Sequence, residues 1–257
     1  MRIEDGPVVF VTGGASGLGK ATVMYLHGKG ARCAVADMDT AALQKLQAEL
    51  QTRILVLRCD VTKEEDVKQA IDKTVATWGE LHVAIPCAGV SWPMLTYSDR
   101  RGPLDTALYK KVIEINLYGS IYVAKYASIV MAKNKPVGDM KEKGVILFVS
   151  SVASYEGQKG QVAYSASKAA LNGMTLPMAR DLGRYNIRVA AIAPGIMWSP
   201  MSDKMPEKVR KALLADTPMG RMGRPEEFAH FAGAIIENSY INGVTMRIDG
   251  ATKFSNL

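Results

Sequence analysis

Metal chemistry has little to build on in this chain. It holds three histidines (His27, His82, His230) and three cysteines (Cys33, Cys59, Cys87), with no ligand-like spacing between the two sets, so no metal is indicated. The cysteines are odd in number and lie in or beside strand-like runs, which fits buried reduced thiols and an intracellular setting better than a disulfide framework. No uninterrupted apolar run approaches the ~18 residues of a membrane span, so no membrane association is expected. No secretory signal is visible, and an organelle presequence is expected to be absent or already removed, because Met1–Asp5 leads almost directly into Val8–Val11. Zinc fingers, RNP-like motifs and aromatic-interleaved basic stripes are missing, so the net charge of +7 reads first as a solvated basic surface. With no repeat, low-complexity tract or Pro/Ser-rich linker, residues 1–257 read as one domain with room for a sizeable core.

What is present is a regular alternation. Apolar, β-branched runs recur at Val8–Val11, Cys33–Ala36, Ile54–Leu57, Val83–Ile85, Val145–Val149, Val189–Ala193 and Val244–Ile248, separated by helix-sized segments. That order predicts βαβ units, a parallel sheet covered on both faces, and right-handed crossovers. Thr12-Gly-Gly-Ala-Ser-Gly-Leu-Gly19 follows the first run and opens a helix. Glycines there let the backbone turn sharply and approach a pyrophosphate at the positive helix end. The second run ends at Asp37, near the spacing for an acid that accepts from an adenosine ribose and repels a 2′-phosphate, which favours NAD over NADP. Asp39 or Thr40 is better placed than Asp37 to cap the next helix.

Thr62-Lys-Glu-Glu65 predicts a capping box, leaving Asp60 free for the adenine. Pro86-Cys-Ala-Gly89 is a small-residue turn at the carboxyl end of a central strand, where open α/β sheets bind ligands. Leu104 to about Ala132 reads as one long helix with Asn116 at its middle, an awkward helix-interior residue with either a polar task or a solvent-facing position. Lys133–Lys143 reads as a solvated loop. Ser91–Pro103 reads as either a functional or a plain surface connection, and the Met- and Pro-punctuated stretch to Pro206 as either a substrate lid or an ordinary helix.

The candidate chemistry centres on Ser151–Lys168. Tyr164 and Lys168 are four apart in a segment, Val162 to Arg184, suited to a helix, so they share a face. An ammonium beside a phenol lowers its pKa from ~10 and makes it a usable acid/base. Gln158, Gln161 and the segment Trp198–Pro206 are expected to shape the substrate pocket around that pair.

Thr12-Gly13-x-x-x-Gly17-x-Gly19, Asp60, Cys-Ala-Gly89, Asn116, Ser151, Tyr164-x-x-x-Lys168 and Pro194-Gly195, in that order and spacing, resemble the short-chain dehydrogenase/reductase family along the whole chain. The resemblance implies a doubly wound Rossmann fold, with a seven-stranded parallel sheet and helices on both faces. It implies Tyr164 as acid/base, Lys168 on the nicotinamide ribose, Ser151 on the substrate oxygen and Asn116 at a proton-relay water. It carries cofactor contact onto Gly13, Ser16, Gly17, Leu18, Gly19, Asp37, Asp60, Val61, Cys87, Ala88, Gly89, Tyr164, Lys168, Pro194, Gly195 and Ser199. Longer runs resemble the family branch that oxidises 3-hydroxyacyl-CoA with NAD, implying an acyl-CoA substrate, a homotetramer and the mitochondrial matrix, with the cytoplasm as the alternative compartment. A hydroxysteroid or small secondary-alcohol dehydrogenase is the enzymatic alternative, and a structural part in mitochondrial transfer-RNA processing the non-enzymatic one. The chain departs from the family pattern at Pro86, where Asn is usual, and at Ser199, where Thr is frequent. The first puts local support of the central strands in doubt; the second keeps a hydroxyl.

Overall fold

In the computed structural model, residues 1–203 and 205–253 are described; Lys204, within the expected lid, and residues 254–257, at the end of the expected domain, lie outside them. Seven strands form one parallel sheet: β1 (Val8–Thr12), β2 (Arg32–Asp37), β3 (Ile54–Arg58), β4 (Val83–Pro86), β7 (Gly144–Val149), β8 (Ile187–Pro194) and β9 (Thr245–Ile248). Their order is β3-β2-β1-β4-β7-β8-β9. The order reverses between β1 and β4, and there the carboxyl ends of the strands open a crevice suited to ligands. All seven runs expected from the sequence are strands of this sheet. Two further strands, β5 (Tyr97–Ser98) and β6 (Gly102–Pro103), make a small antiparallel hairpin inside the Ser91–Pro103 connection.

Every residue of β1, β7 and β8 is buried, as the unbroken apolar runs require of strands covered on both faces. One core layer, with Val9, Val11, Val35 and Ile85 of the sheet, meets α1 (Gly17–Gly28), α2 (Thr40–Leu50) and α9 (Pro225–Glu237). The other, with Phe10, Phe148 and Val189, meets α3 (Glu64–Trp78), α5 (Gly119–Met131) and α6 (Val162–Gly183).

The helices depart from expectation in three places. Helix α3 has no capping box: it begins at Glu64 with Lys63 as cap, and no side chain bonds back. Thr62 instead gives its backbone N–H and its hydroxyl to Asp60 Oδ1, at 3.1 and 2.7 Å. The expected helix from Leu104 starts later, as α4 (Thr106–Ile113), because Asp105 accepts from the N–H groups of Ala107 and Leu108 and fixes the start. It then passes through one π-helical turn, Glu114–Tyr118, into α5. The Lys133–Lys143 loop is not wholly solvated: Asn134 and Glu142 are buried, Asn134 binding the carbonyls of Leu81 and Lys143 and Glu142 pairing with buried Arg188. A buried carboxylate needs such a partner. As α2 shows, the cap is Asp39, whose Oδ1 accepts from Ala42 N–H at 2.9 Å.

Candidate active site

Strand β7 delivers Ser150 and Ser151 to the crevice. Ser151 caps a short 3₁₀ turn, Val152–Ser154, its Oγ accepting from Ala153 N–H at 3.1 Å. Ser150 Oγ donates to the Lys168 carbonyl at 3.0 Å, pinning the strand end to α6. Tyr164 and Lys168 stand on consecutive turns of α6, with Lys168 Nζ 5.8 Å from the Tyr164 ring centre. The Ser151 side chain lies close enough to the Tyr164 phenol to favour its ionised form.

Asn116 lies in the π turn and is fully buried, so its polar task excludes the solvent-facing reading. Its Oδ1 accepts from Val90 N–H at 2.8 Å, while its Nδ2 donates to the Val90 carbonyl at 2.9 Å and to Ser167 Oγ at 3.0 Å. A π turn at such a position re-aims one side chain without ending the helix. Gly89 closes the group: a Cβ there would sit 3.3 Å from Asn116 Oδ1 and 3.5 Å from Lys168 Nζ. Ser151, Tyr164, Lys168, Asn116, Cys87 and Gly89 thus meet at the β4–β7 side of the crevice.

The electrostatics differ from the expectation that Lys168 depresses the phenol. Burial pushes the Lys168 ammonium down to about 8, and Nζ donates to the Val149 carbonyl at 2.7 Å. Burial also holds the Tyr164 phenol above its ordinary value, with the neighbouring Ser151 hydroxyl opposing it and the Cys87 thiol adding to it. Desolvation dominates both groups, since each would carry its charge away from water. Burial pushes the Cys87 thiol up to about 11, so it is protonated and unreactive at neutral pH.

On the opposite side, the glycine loop fits a dinucleotide. Gly13 has φ +63°, and a Cβ on it would come 2.7 Å from Ala88 Cα; a Cβ on Gly19 would come 2.2 Å from the Gly13 carbonyl oxygen. Any side chain at either position would fill the cradle between loop and helix. Ser16 caps α1 with its hydroxyl unused by the helix, and the first N–H groups of α1, at Gly17, Leu18 and Gly19, form the positive end that a pyrophosphate needs. Asp37 lies at the end of β2, with Oδ2 accepting from Ala15 N–H and Oδ1 from Asp39 N–H, both at 3.1 Å. It braces the glycine loop.

Asp60 is engaged by Thr62; burial raises its carboxyl, but the Thr62 hydrogen bonds and the charges of Lys63 and Arg58 outweigh that and lower it overall. Val61 is buried against Gly119. Gly195 donates to the Ile248 carbonyl at 2.9 Å and has no room for a Cβ beside Asp249. Ser199 forms a local turn with Ser202 and, with Pro200, lies against Gly17. Within the segment expected as lid or helix, Pro200–Asp203 forms the short α7, followed by α8 (Glu207–Ala215). A cavity of about 680 Å³ separates Trp198–Asp203 from α1 and α9.

Of the two expected substrate residues, Gln161 turns its Oε1 back to the Gln158 N–H at 3.0 Å, closing the 158–161 turn. That turn is joined to the Ser91–Pro103 connection by Met94 N–H, which donates to the Gly160 carbonyl at 2.8 Å. Two residues went unread in the sequence. Thr12, opposite Pro86 in the β1–β4 ladder, holds the turn that follows: its carbonyl accepts from Cys87 N–H at 3.2 Å and its hydroxyl from Ala88 N–H at 3.4 Å. Ser167 carries Asn116 to α6, donating to the Tyr164 carbonyl at 2.7 Å. A serine inside a helix, between two candidate residues, was the available signal for the second.

The fold is that of an oxidoreductase class, and the chain belongs to the short-chain dehydrogenase/reductase family, whose members generally bind NAD(P). A family model described as enoyl-(acyl carrier protein) reductase matches residues 13–252. The chain is 40% identical over 254 residues to human 3-hydroxyacyl-CoA dehydrogenase type-2, covering 98% of this chain and 97% of that protein. It is 41% identical over 248 residues to the protein of that name from Drosophila melanogaster, covering 96% and 97%. A crystal structure of 3-hydroxyacyl-CoA dehydrogenase type-2 from Mycobacterium avium superposes with a TM-score of 0.93, at 35% identity, covering all of both chains. Among the described residues no helix is long and apolar enough to cross a membrane, and no group of three or more His, Cys, Asp or Glu is placed to hold a metal ion.

Proposed function

We propose that this protein is an NAD-dependent dehydrogenase that reversibly oxidises (S)-3-hydroxyacyl-CoA to 3-ketoacyl-CoA within a single domain, 1–257. The convergence of Ser151, Tyr164 and Lys168 on one crevice beside the glycine cradle carries the reading, and the likeness to 3-hydroxyacyl-CoA dehydrogenases supports the substrate. When bound, the dinucleotide supplies the hydride acceptor. Tyr164 Oη takes the proton of the substrate C3 hydroxyl, and Ser151 Oγ donates to the same oxygen as its charge grows. Lys168, titrating near 8, favours the Tyr164 phenolate when charged, and the proton that Tyr164 takes from the substrate leaves to solvent before the next oxidation, while Asn116 holds Gly89–Val90 against the ammonium. Gly13, Ser16, Gly17, Leu18, Gly19, Cys87, Ala88, Gly89, Pro194, Gly195 and Ser199 would line the cofactor, with Asp60 and Val61 at the adenine. Gln158 and Gln161 would shape the substrate turn. Exposed Tyr118, Ile129, Val162 and Leu176, on and beside α5 and α6, support assembly with copies of itself into a homotetramer, and the likeness to the animal enzymes supports the mitochondrial matrix.

The reading is tested by following NADH and NADPH consumption with acetoacetyl-CoA beside a ketosteroid. Turnover of the thioester with NADH is expected. Steroid turnover without thioester turnover would replace the substrate assignment.

A further inference from the structure

The face of α6 that packs on the Val152–Ser154 turn is polar where an apolar seam would be more stable. Ser165 and Asn172 lie about two turns apart on it, and Ser165 Oγ and Asn172 Oδ1 are buried without a hydrogen-bond partner among the described residues. A half-satisfied buried amide costs more than an apolar side chain of the same shape. The other end of the Asn172 amide is used. Its Nδ2 donates to Ser154 Oγ at 2.7 Å, and Ser154 Oγ donates to the Ser151 carbonyl at 2.5 Å. Asn172 stands one turn beyond Lys168 and two beyond Tyr164 on the same helix. The residue carrying the candidate donor hydroxyl is therefore tied, through two side chains, to the helix carrying the candidate acid/base. A 3₁₀ turn of three residues holds its own position poorly, so ties of this kind decide where it sits.

Resting on the dehydrogenase reading above, we propose that Asn172 and Ser154 are positioning residues that hold Ser151 at its working distance from Tyr164, and that the amide is retained for this although it destabilises the fold. Two variants remove the tie separately: Asn172→Leu, which keeps the branched shape, and Ser154→Ala; Ser154→Thr retains the hydroxyl. Both removals are expected to lower kcat about tenfold with KM unchanged, less than the ~10²-fold of a 1 Å misplacement, and the double variant is expected to lose no more than either single one. Asn172→Leu keeps or raises Tm, and Ser154→Thr restores kcat. In the cofactor-free protein, the near-ultraviolet titration of the Tyr164 phenol, identified by difference against Tyr164→Phe, moves to higher pH in both removals, because the Ser151 hydroxyl that favours the phenolate is displaced from it. An unmoved phenol titration in both variants overturns the proposal, as does a kcat loss in Asn172→Leu that Ser154→Ala does not share. A titration that moves in a protein with no thioester turnover upholds the positioning and refutes the substrate reading.

Discussion

Lys168 Nζ donates to the Val149 carbonyl at 2.7 Å and stands 5.8 Å from the centre of the Tyr164 ring. The ammonium is thus anchored to the end of β7, at the floor of the crevice, where burial brings it down to about 8. The same burial holds the phenol up, so neither group is comfortable with its charge in the protein as folded.

A lysine depressed in the folded state makes a pH-dependent contribution. Below about 8 the buried ammonium must be kept charged, at a cost to the fold. Between about 8 and the ordinary lysine value the unfolded chain binds the extra proton, so stability rises with pH across that window. Lys168→Met is expected to stabilise the protein at pH 7 by on the order of 1–2 kcal/mol, after allowing for the lost hydrogen bond to Val149, and to flatten the rise. Urea unfolding at several pH values checks both, and a destabilised, equally pH-dependent variant would contradict the assignment.

Asn116 satisfies both backbone groups of Val90 and holds Ser167. Asn116→Ala leaves a buried N–H, a carbonyl and a hydroxyl without that partner, which is expected to cost about 2–4 kcal/mol. Denaturant unfolding measures it. A loss under ~0.5 kcal/mol, the range of an ordinary surface change, would mean that the π turn is held by other contacts.

Asp37 faces the glycine loop with both oxygens accepting from backbone N–H groups. Replacing it by Ser removes the negative charge that a 2′-phosphate would meet. The ratio of kcat/KM for NADH to that for NADPH is expected to fall by about tenfold or more, the size of one unfavourable charge contact near the surface. An unchanged ratio would remove Asp37 from cofactor choice.

The parallel sheet was legible because its strands are buried on both faces, and seven apolar runs separated by helix-length segments leave few other arrangements. The glycine loop was legible for a similar reason: Gly13 and Gly19 sit where any Cβ would strike backbone. Local rules failed where another partner outbid the expected one. Thr62 looked like a cap, yet its hydroxyl serves Asp60, two residues before it. Glu142 looked like one charge in a solvated loop, yet Arg188, far along the chain, draws it into the interior. The sign of the Tyr164 shift was missed because spacing puts an ammonium near a phenol but says nothing of how dry the site is. The hold of Thr12 on Cys87 and Ala88 was invisible because it crosses between neighbouring strands.

The central claim is that Tyr164 Oη moves the substrate proton, and the most direct measurement is single-turnover reduction of acetoacetyl-CoA by NADH in Tyr164→Phe beside the unaltered protein. The side chain keeps its ring and loses only the hydroxyl, so folding and cofactor binding are expected to be unchanged while the chemical step slows by about 10²–10⁴-fold, the usual worth of a positioned acid/base. A Tyr164→Phe protein that reduces the thioester at close to the original rate would contradict the account.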